Sequence, residues 1–211
     1  MERTTGTAPP TARDRGTLRP VEAGPGVFEH SATDRRLAVE RWLLSTLPDP
    51  RGREVARKQW REMGAAMLPL GGLVSAVRIP ARLVHAVAGT AVPADVDEFL
   101  EHALDGGPVI CVLHGGRRYY ALVPGGMPRT WHDAAEEWRA SEVDCLGRDA
   151  LLGVPPVTRV DHDPATWASY WSVPMASAGE LCAPLSVARL IATGVHRLGE
   201  EAEPTSMREV K

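Results

Sequence analysis

Residues 109–124 read VICVLHGGRRYYALVP. Two apolar runs flank a Gly-Gly pair, and Pro124-Gly125-Gly126 ends the second run. This pattern dictates a β-hairpin, because β-branched and aromatic residues suit a pleated surface and paired glycines supply the turn. Any fold for the chain must therefore contain an antiparallel strand pair whose second strand opens on Arg117, Arg118, Tyr119 and Tyr120. Side chains alternate along a strand. Arg118, Tyr120 and Leu122 share one face, and Arg117, Tyr119, Ala121 and Val123 share the other. Two readings are open. In one, the rings cover the sheet and the arginines face water. In the other, one face lines a cleft, where Arg118 presents a rigid fork to a phosphate or carboxylate and Tyr120 a surface for stacking on a base.

The flanking sequence alternates helical and strand patterns. With Asp34 as N-cap, Val39, Trp42, Leu43 and Leu47 recur at helical spacing until Pro48-Asp49-Pro50. A second helix is expected over 52–63, with Gly64 in its left-handed exit. This helical pair, 34–63, carries eight basic residues against five acidic ones, a solvated face or a phosphate-binding one. AAMLPL, Gly-Gly and LVSAVRI then read as two strands joined by a tight turn. Pro80 and Pro93 each suit the first position of a helix, and Gly89 and Gly106-Gly107 close them. After the hairpin, Thr130 is expected to start a short helix with Asp133 completing a capping box. VDCL, ALLGV and SYWSV read as strands, and Ala183–Thr193 as a closing helix. The expected class is α+β, a mostly antiparallel sheet with flanking helices, preceded by the helical pair. Residues 1–33 and 200–211 are expected to be disordered tails around the helical pair, 34–63, and an α+β domain, 64–199.

A net charge of −3 gives no global field that would draw the chain to nucleic acid or acidic lipid. Cys111, Cys145 and Cys182 are far apart and form no CxxC pair, so buried structural thiols are expected. No segment approaches about 18 consecutive apolar residues, and a cytoplasmic home without a membrane partner is expected. The chain contains no GxSxG, Walker A, HExxH or GxGxxG pattern. His132 and Glu136 share a helical face beside Asp133 and Glu137, and Asp161-His162-Asp163 places two carboxylates around an imidazole. Either is more simply a polar surface than a metal site.

Three stretches in order carry a resemblance: LVSAVRIP at 73–80, GGRRYYALVP at 115–124, and VDCLGRDALLGVPP at 143–156 followed by SYWSVP at 169–174. Over residues 64–175 the layout resembles the prim-pol domain of bifunctional DNA primase-polymerases, a branch of the archaeo-eukaryotic primase superfamily, and especially its divergent actinobacterial members. The resemblance implies a prim-pol-like fold and nucleotidyl transfer. In that family two acids at i and i+2 of one strand, with a third from another strand, hold Mg²⁺ or Mn²⁺ against a triphosphate, and a histidine contacts the phosphates. Here the first motif falls on Leu73–Ile79, which holds no acid and carries Arg78. The histidine position falls on Arg118, and the third motif keeps its acid as Asp144, the one candidate metal ligand. The resemblance therefore implies a catalytically degenerate DNA primase/polymerase-like domain with a nucleotide-binding, nucleic-acid-binding or regulatory role. Its candidate site is a cleft of Arg78, Arg118, Tyr120 and Arg148 around Asp144. The alternatives are an active metal-dependent nucleotidyltransferase that recruits Asp161 and Asp163, and a protein-interaction scaffold without a small ligand.

Overall fold

The computed structural model describes residues 21–24, 27–29 and 31–206. A small antiparallel hairpin, β1 (Val21–Gly24) and β2 (Val27–Glu29), precedes two helices, α1 (Ala32–Leu44) and α2 (Pro50–Met63). Part of the expected N-terminal tail is thus paired strand, and residues 1–20 lie outside the described residues. Ser31, not Asp34, caps α1: its Oγ accepts from the Asp34 N–H at 3.0 Å and donates to the Asp34 carboxylate at 2.8 Å. The hydroxyl at Ser31 satisfies an orphan amide, and the acid sits in the first turn, where the helix dipole favours it. Asp49 caps α2 through Gly52 N–H, so the Pro-Asp-Pro that stops one helix also starts the next. Gly64 leaves α2 at φ 72°, as expected.

The hairpin forms in its expected register: β5 (Val109–Val112) pairs antiparallel with β6 (Arg118–Pro124), Val112 opposite Arg118 and Cys111 opposite Tyr119. It lies inside a five-stranded antiparallel sheet of order β7-β4-β6-β5-β9, where β4 is Val74–Pro80, β7 Asp144–Leu146 and β9 Tyr170–Val173. β3 (Ala66–Pro69) does not pair with β4. It forms a separate two-stranded ladder with β8 (Leu151–Val154). The Gly-Gly turn between β3 and β4 is real, with Gly71 at φ 85° and its N–H bonded to Val74 O at 2.8 Å, but it carries the chain from one layer into another.

Both faces of the large sheet are buried. On one face α3 (Ala81–Ala88), α4 (Pro93–Ala103) and α7 (Pro184–Ser206) place Leu83, Val84, Val96, Leu100, Val187 and Ile191 over Val77, Ile79, Cys111, Tyr119 and Ala121. On the other, α1, α2 and the β3–β8 ladder place Val39, Leu43, Leu44, Ala56, Leu68 and Val154 over Val74, Ala76, Ile110, Leu122 and Trp171. Trp60 Nε1 donates to Val154 O at 2.8 Å, and Met67 N–H to Gln59 Oε1 at 3.0 Å. The helical pair is therefore one layer of the core. This is the α+β class expected, built as a sheet covered on both sides.

Two expectations fail at helix ends. Thr130 ends α5 (Met127–Thr130) rather than starting a helix, and its hydroxyl turns back to Gly126 O and Met127 O. Asp133 lies in the following helix, α6 (His132–Trp138), which has no side-chain cap. α7 runs through Ser206, past the boundary expected at 199, and residues 207–211 lie outside the described residues. Cys111 and Cys182 are buried and Cys145 is half-buried; all are free thiols. No helix among the described residues is long and apolar enough to cross a membrane.

Candidate functional site

Register alone brings three of the expected residues together. Asp144 on β7 stands opposite Arg78 on β4, and Arg78 stands opposite Tyr120 on β6. These side chains share the face that α1 and α2 cover, near the sheet end where that layer leaves them half-exposed. Arg78 Nε donates to Asp144 Oδ2 at 3.1 Å, and Arg78 Nη2 bonds the same oxygen. The bond to Asp144 holds the Arg78 guanidinium above its ordinary value against the opposing effect of burial. Asp144 is thus engaged by an arginine from the neighbouring strand.

The four-charge cleft does not assemble. Arg118 lies opposite Pro80, farther along the same face, and its Nη1 donates to Gly115 O at 2.7 Å and Gly116 O at 3.2 Å. It braces the turn of its own hairpin. Arg148 lies at the other end of β4. Its backbone packs against Gly71, where an added Cβ would fall 2.3 Å from Arg148 N. Val74 lies four residues before Arg78, and Arg148 four residues after Asp144, so at about 3.4 Å per residue the Arg148 backbone stands at most about 14 Å from the Arg78–Asp144 pair. There it lines a separate cleft of about 630 Å³ with Arg129, His132 and five glycines, two residues the sequence reading did not connect with it.

The alternative acids stay apart as well. Asp163 accepts from Ala165 N–H at 2.9 Å and Thr166 O–H at 3.2 Å, forming a turn. His162 meets the Tyr170 ring edge-on at 5.6 Å, which fixes this loop at the β9 edge. Asp144 is on β7, the opposite edge of the sheet, four strand spacings or roughly 19 Å away. His132 and Glu136 do face each other, at 3.7 Å, on an exposed helix where Glu136 also pairs with Arg139 at 2.5 Å. On α2, Arg57 pairs with Glu40 and Glu54, Arg61 with Glu54 and Lys58 with Glu62, the pattern of a solvated, ion-paired face. Among the described residues no group of three or more His, Cys, Asp or Glu side chains could share a metal ion.

A polar cluster that no local pattern signals ties α4 to β9. Asp97 Oδ1 accepts from Tyr170 O–H at 3.2 Å and from Ser172 Oγ, and Ser172 is buried. Burial raises the Asp97 carboxyl above its ordinary value, outweighing the two hydrogen bonds that lower it. A carboxyl raised on folding stabilises the protein fully only below its unfolded value, and that contribution is lost as pH rises through the folded value. Asp97→Asn keeps an acceptor without the charge. The variant is expected to melt at or above the wild-type temperature at pH 8, with the difference shrinking towards pH 4; a variant less stable at pH 8 than at pH 4, relative to wild type, would contradict this.

No family model, curated protein or solved structure matches the chain.

Proposed function

We propose that the chain is a prim-pol-like domain that has lost nucleotidyl transfer and acts by binding a nucleotide or nucleic acid. The observation that carries this reading is the Arg78–Asp144 pair. Two-metal transfer needs carboxylates free to face cations at close range. Here the retained acid is bonded to a guanidinium on the adjacent strand, and the strand that would supply the acid pair carries none. A guanidinium bonded to that acid neutralises its charge and leaves it no attraction for a divalent ion. Tyr120, beside it on the same face, offers a ring to a base, a contact worth about 1–3 kcal/mol.

Two assays test the reading. Primer synthesis and extension with Mg²⁺ or Mn²⁺ are expected to give no incorporation above background, for wild type and for Arg78→Ala, which frees Asp144 but adds no second acid. Metal-dependent incorporation abolished by Asp144→Ala would establish the active enzyme instead. A labelled oligonucleotide and a panel of nucleotides are expected to bind or to raise the melting temperature, with the effect reduced about 10-fold or more in Tyr120→Ala. No shift with any of these ligands would favour a protein-binding scaffold.

A further inference from the structure

The cleft around Arg148 has a chemistry distinct from that of the sheet face. Its walls come from three loops: Gly71-Gly72 between β3 and β4, Gly125-Gly126 after β6, and Gly147-Arg148 after β7. The loops touch backbone to backbone. A Cβ on Gly71 would fall 2.3 Å from Arg148 N, one on Gly125 1.9 Å from Gly72 O, and one on Gly147 3.0 Å from the Pro128 ring. Gly72 and Gly126 face open space, with nothing within 4 Å of an added Cβ. Peptide groups rather than side chains therefore make the floor, and a ligand can approach them closely.

The side chains on the rim are cationic. Arg129 and Arg148 are exposed and line the cleft, and their guanidinium groups have neither an ion-pair nor a hydrogen-bond partner among the described residues. His132 completes the rim, with Asp133 at 3.5 Å and Glu136 at 3.7 Å on its own helix to offset its charge when protonated. Among the described residues no carboxylate lines the cleft. Among the described residues five other arginines form ion pairs: Arg57 and Arg61 with glutamates, Arg78 with Asp144, Arg82 with Glu142, and Arg139 with Glu136. Two unpaired guanidinium groups over a glycine floor, in a chain of net charge −3, form a local anion receptor.

We propose that this cleft binds the polyphosphate group of a small phosphorylated ligand, with Arg129 and Arg148 clamping the phosphate oxygens. A volume of about 630 Å³ suits a compact ligand. A polyphosphate, rather than a single carboxylate, matches two separate guanidinium forks. The inference stands apart from the proposed function, because it rests on residues at the other end of β4, with the Arg148 backbone up to about 14 Å along the chain from Asp144.

The probe is inorganic triphosphate, followed by calorimetry at low and moderate salt. Wild type is expected to bind it, with affinity falling as salt rises. Arg129→Ala and Arg148→Ala are each expected to weaken binding about 10-fold or more, and Arg148→Lys to weaken it less than Arg148→Ala. Tyr120→Ala is expected to leave triphosphate binding unchanged, which separates this site from the sheet face. Both arginines are exposed, so unaltered melting temperatures are expected to show that the variants fold. No binding by wild type at millimolar triphosphate, or binding that survives the double Arg129→Ala, Arg148→Ala variant, would overturn the proposal. So would an oligonucleotide that depends on both arginines while triphosphate does not bind, since the cleft would then follow a nucleic-acid backbone.

Discussion

Gly125→Ala is expected to lower the melting temperature by about 10–15 °C, or to prevent recovery of folded protein. The added Cβ would lie 1.9 Å from Gly72 O and 2.7 Å from Gly72 C, and both obstacles are backbone. A flexible side chain could swing aside, but a peptide group can move only with its loop. Gly125 is also held from two directions, by its own N–H to Leu73 O at 3.2 Å and by the buried Ser75 hydroxyl, which donates to Gly125 O at 3.0 Å. Parting the loops breaks both bonds and leaves Ser75 without its partner in the interior. Steric overlap of this kind together with a lost buried hydrogen bond costs about 4 kcal/mol or more. Gly126→Ala is the internal control. Its new methyl meets nothing within 4 Å and its φ of −80° suits any residue, so its stability is expected to stay within about 0.5 kcal/mol of wild type. Chemical denaturation of both variants checks the pair, and equal stabilities would refute the close approach of the two glycine loops.

The same glycines show what the sequence could and could not disclose. Gly-Gly at 71–72 and 125–126 announces turns, because few other residues turn so tightly. It does not say that the two turns touch, and the cleft they frame is therefore invisible until the sheet is assembled. The hairpin at 109–124 was legible throughout, since its partner strands are neighbours in sequence and its alternation sets its register. β3 and β4 were legible as strands, but not in their pairing. β3 alternates buried Ala66 and Leu68 with exposed Met67, the pattern of an outer ladder. β4 is buried over nearly its whole length, the pattern of a strand covered on both faces. That difference lies in the burial, not in the sequence, where Ala66–Pro69 is apolar throughout, so the pairing could not be read before the layers were in place.

Charge pairing was less legible still. Arg78 and Asp144 are 66 residues apart, and only the β4–β7 register makes them neighbours. The resemblance implies an arginine-lined cleft, whereas the fold uses one arginine to neutralise the acid, one to brace a turn, and one elsewhere. The end of α7 is hidden in the sequence for a different reason. Once a helix is nucleated by packing, Glu and Ala extend it at little cost, so a polar composition after the last apolar turn does not mark its boundary.

The second large effect is expected at Trp171, the bulkiest of the fully buried side chains, at 1% exposure. It stands opposite Ile110 in the sheet and packs with Val39, Leu43, Val154 and Met175, so it joins the central strands to α1 and the β3–β8 ladder. Its Nε1 donates to Pro155 O at 3.3 Å. Trp171→Ala removes the indole and leaves a cavity that side chains from several elements cannot close together, a loss of about 3–5 kcal/mol. At the usual scaling for a domain of this size, the melting temperature falls by about 10 °C. Trp171→Phe keeps an aromatic filler and loses the donor, and its cost is expected near 1–2 kcal/mol. The pair of variants also reports on the helical layer. If α1 and α2 are part of one cooperative core, Trp171→Ala melts in a single transition by both far-ultraviolet circular dichroism and tryptophan fluorescence, only earlier. If the layer separates first, the probes diverge and helix signal is lost before the sheet opens. A cost below about 1 kcal/mol would mean that Trp171 does not bridge the two layers, and the packing of the helical pair on the sheet would have to be redrawn.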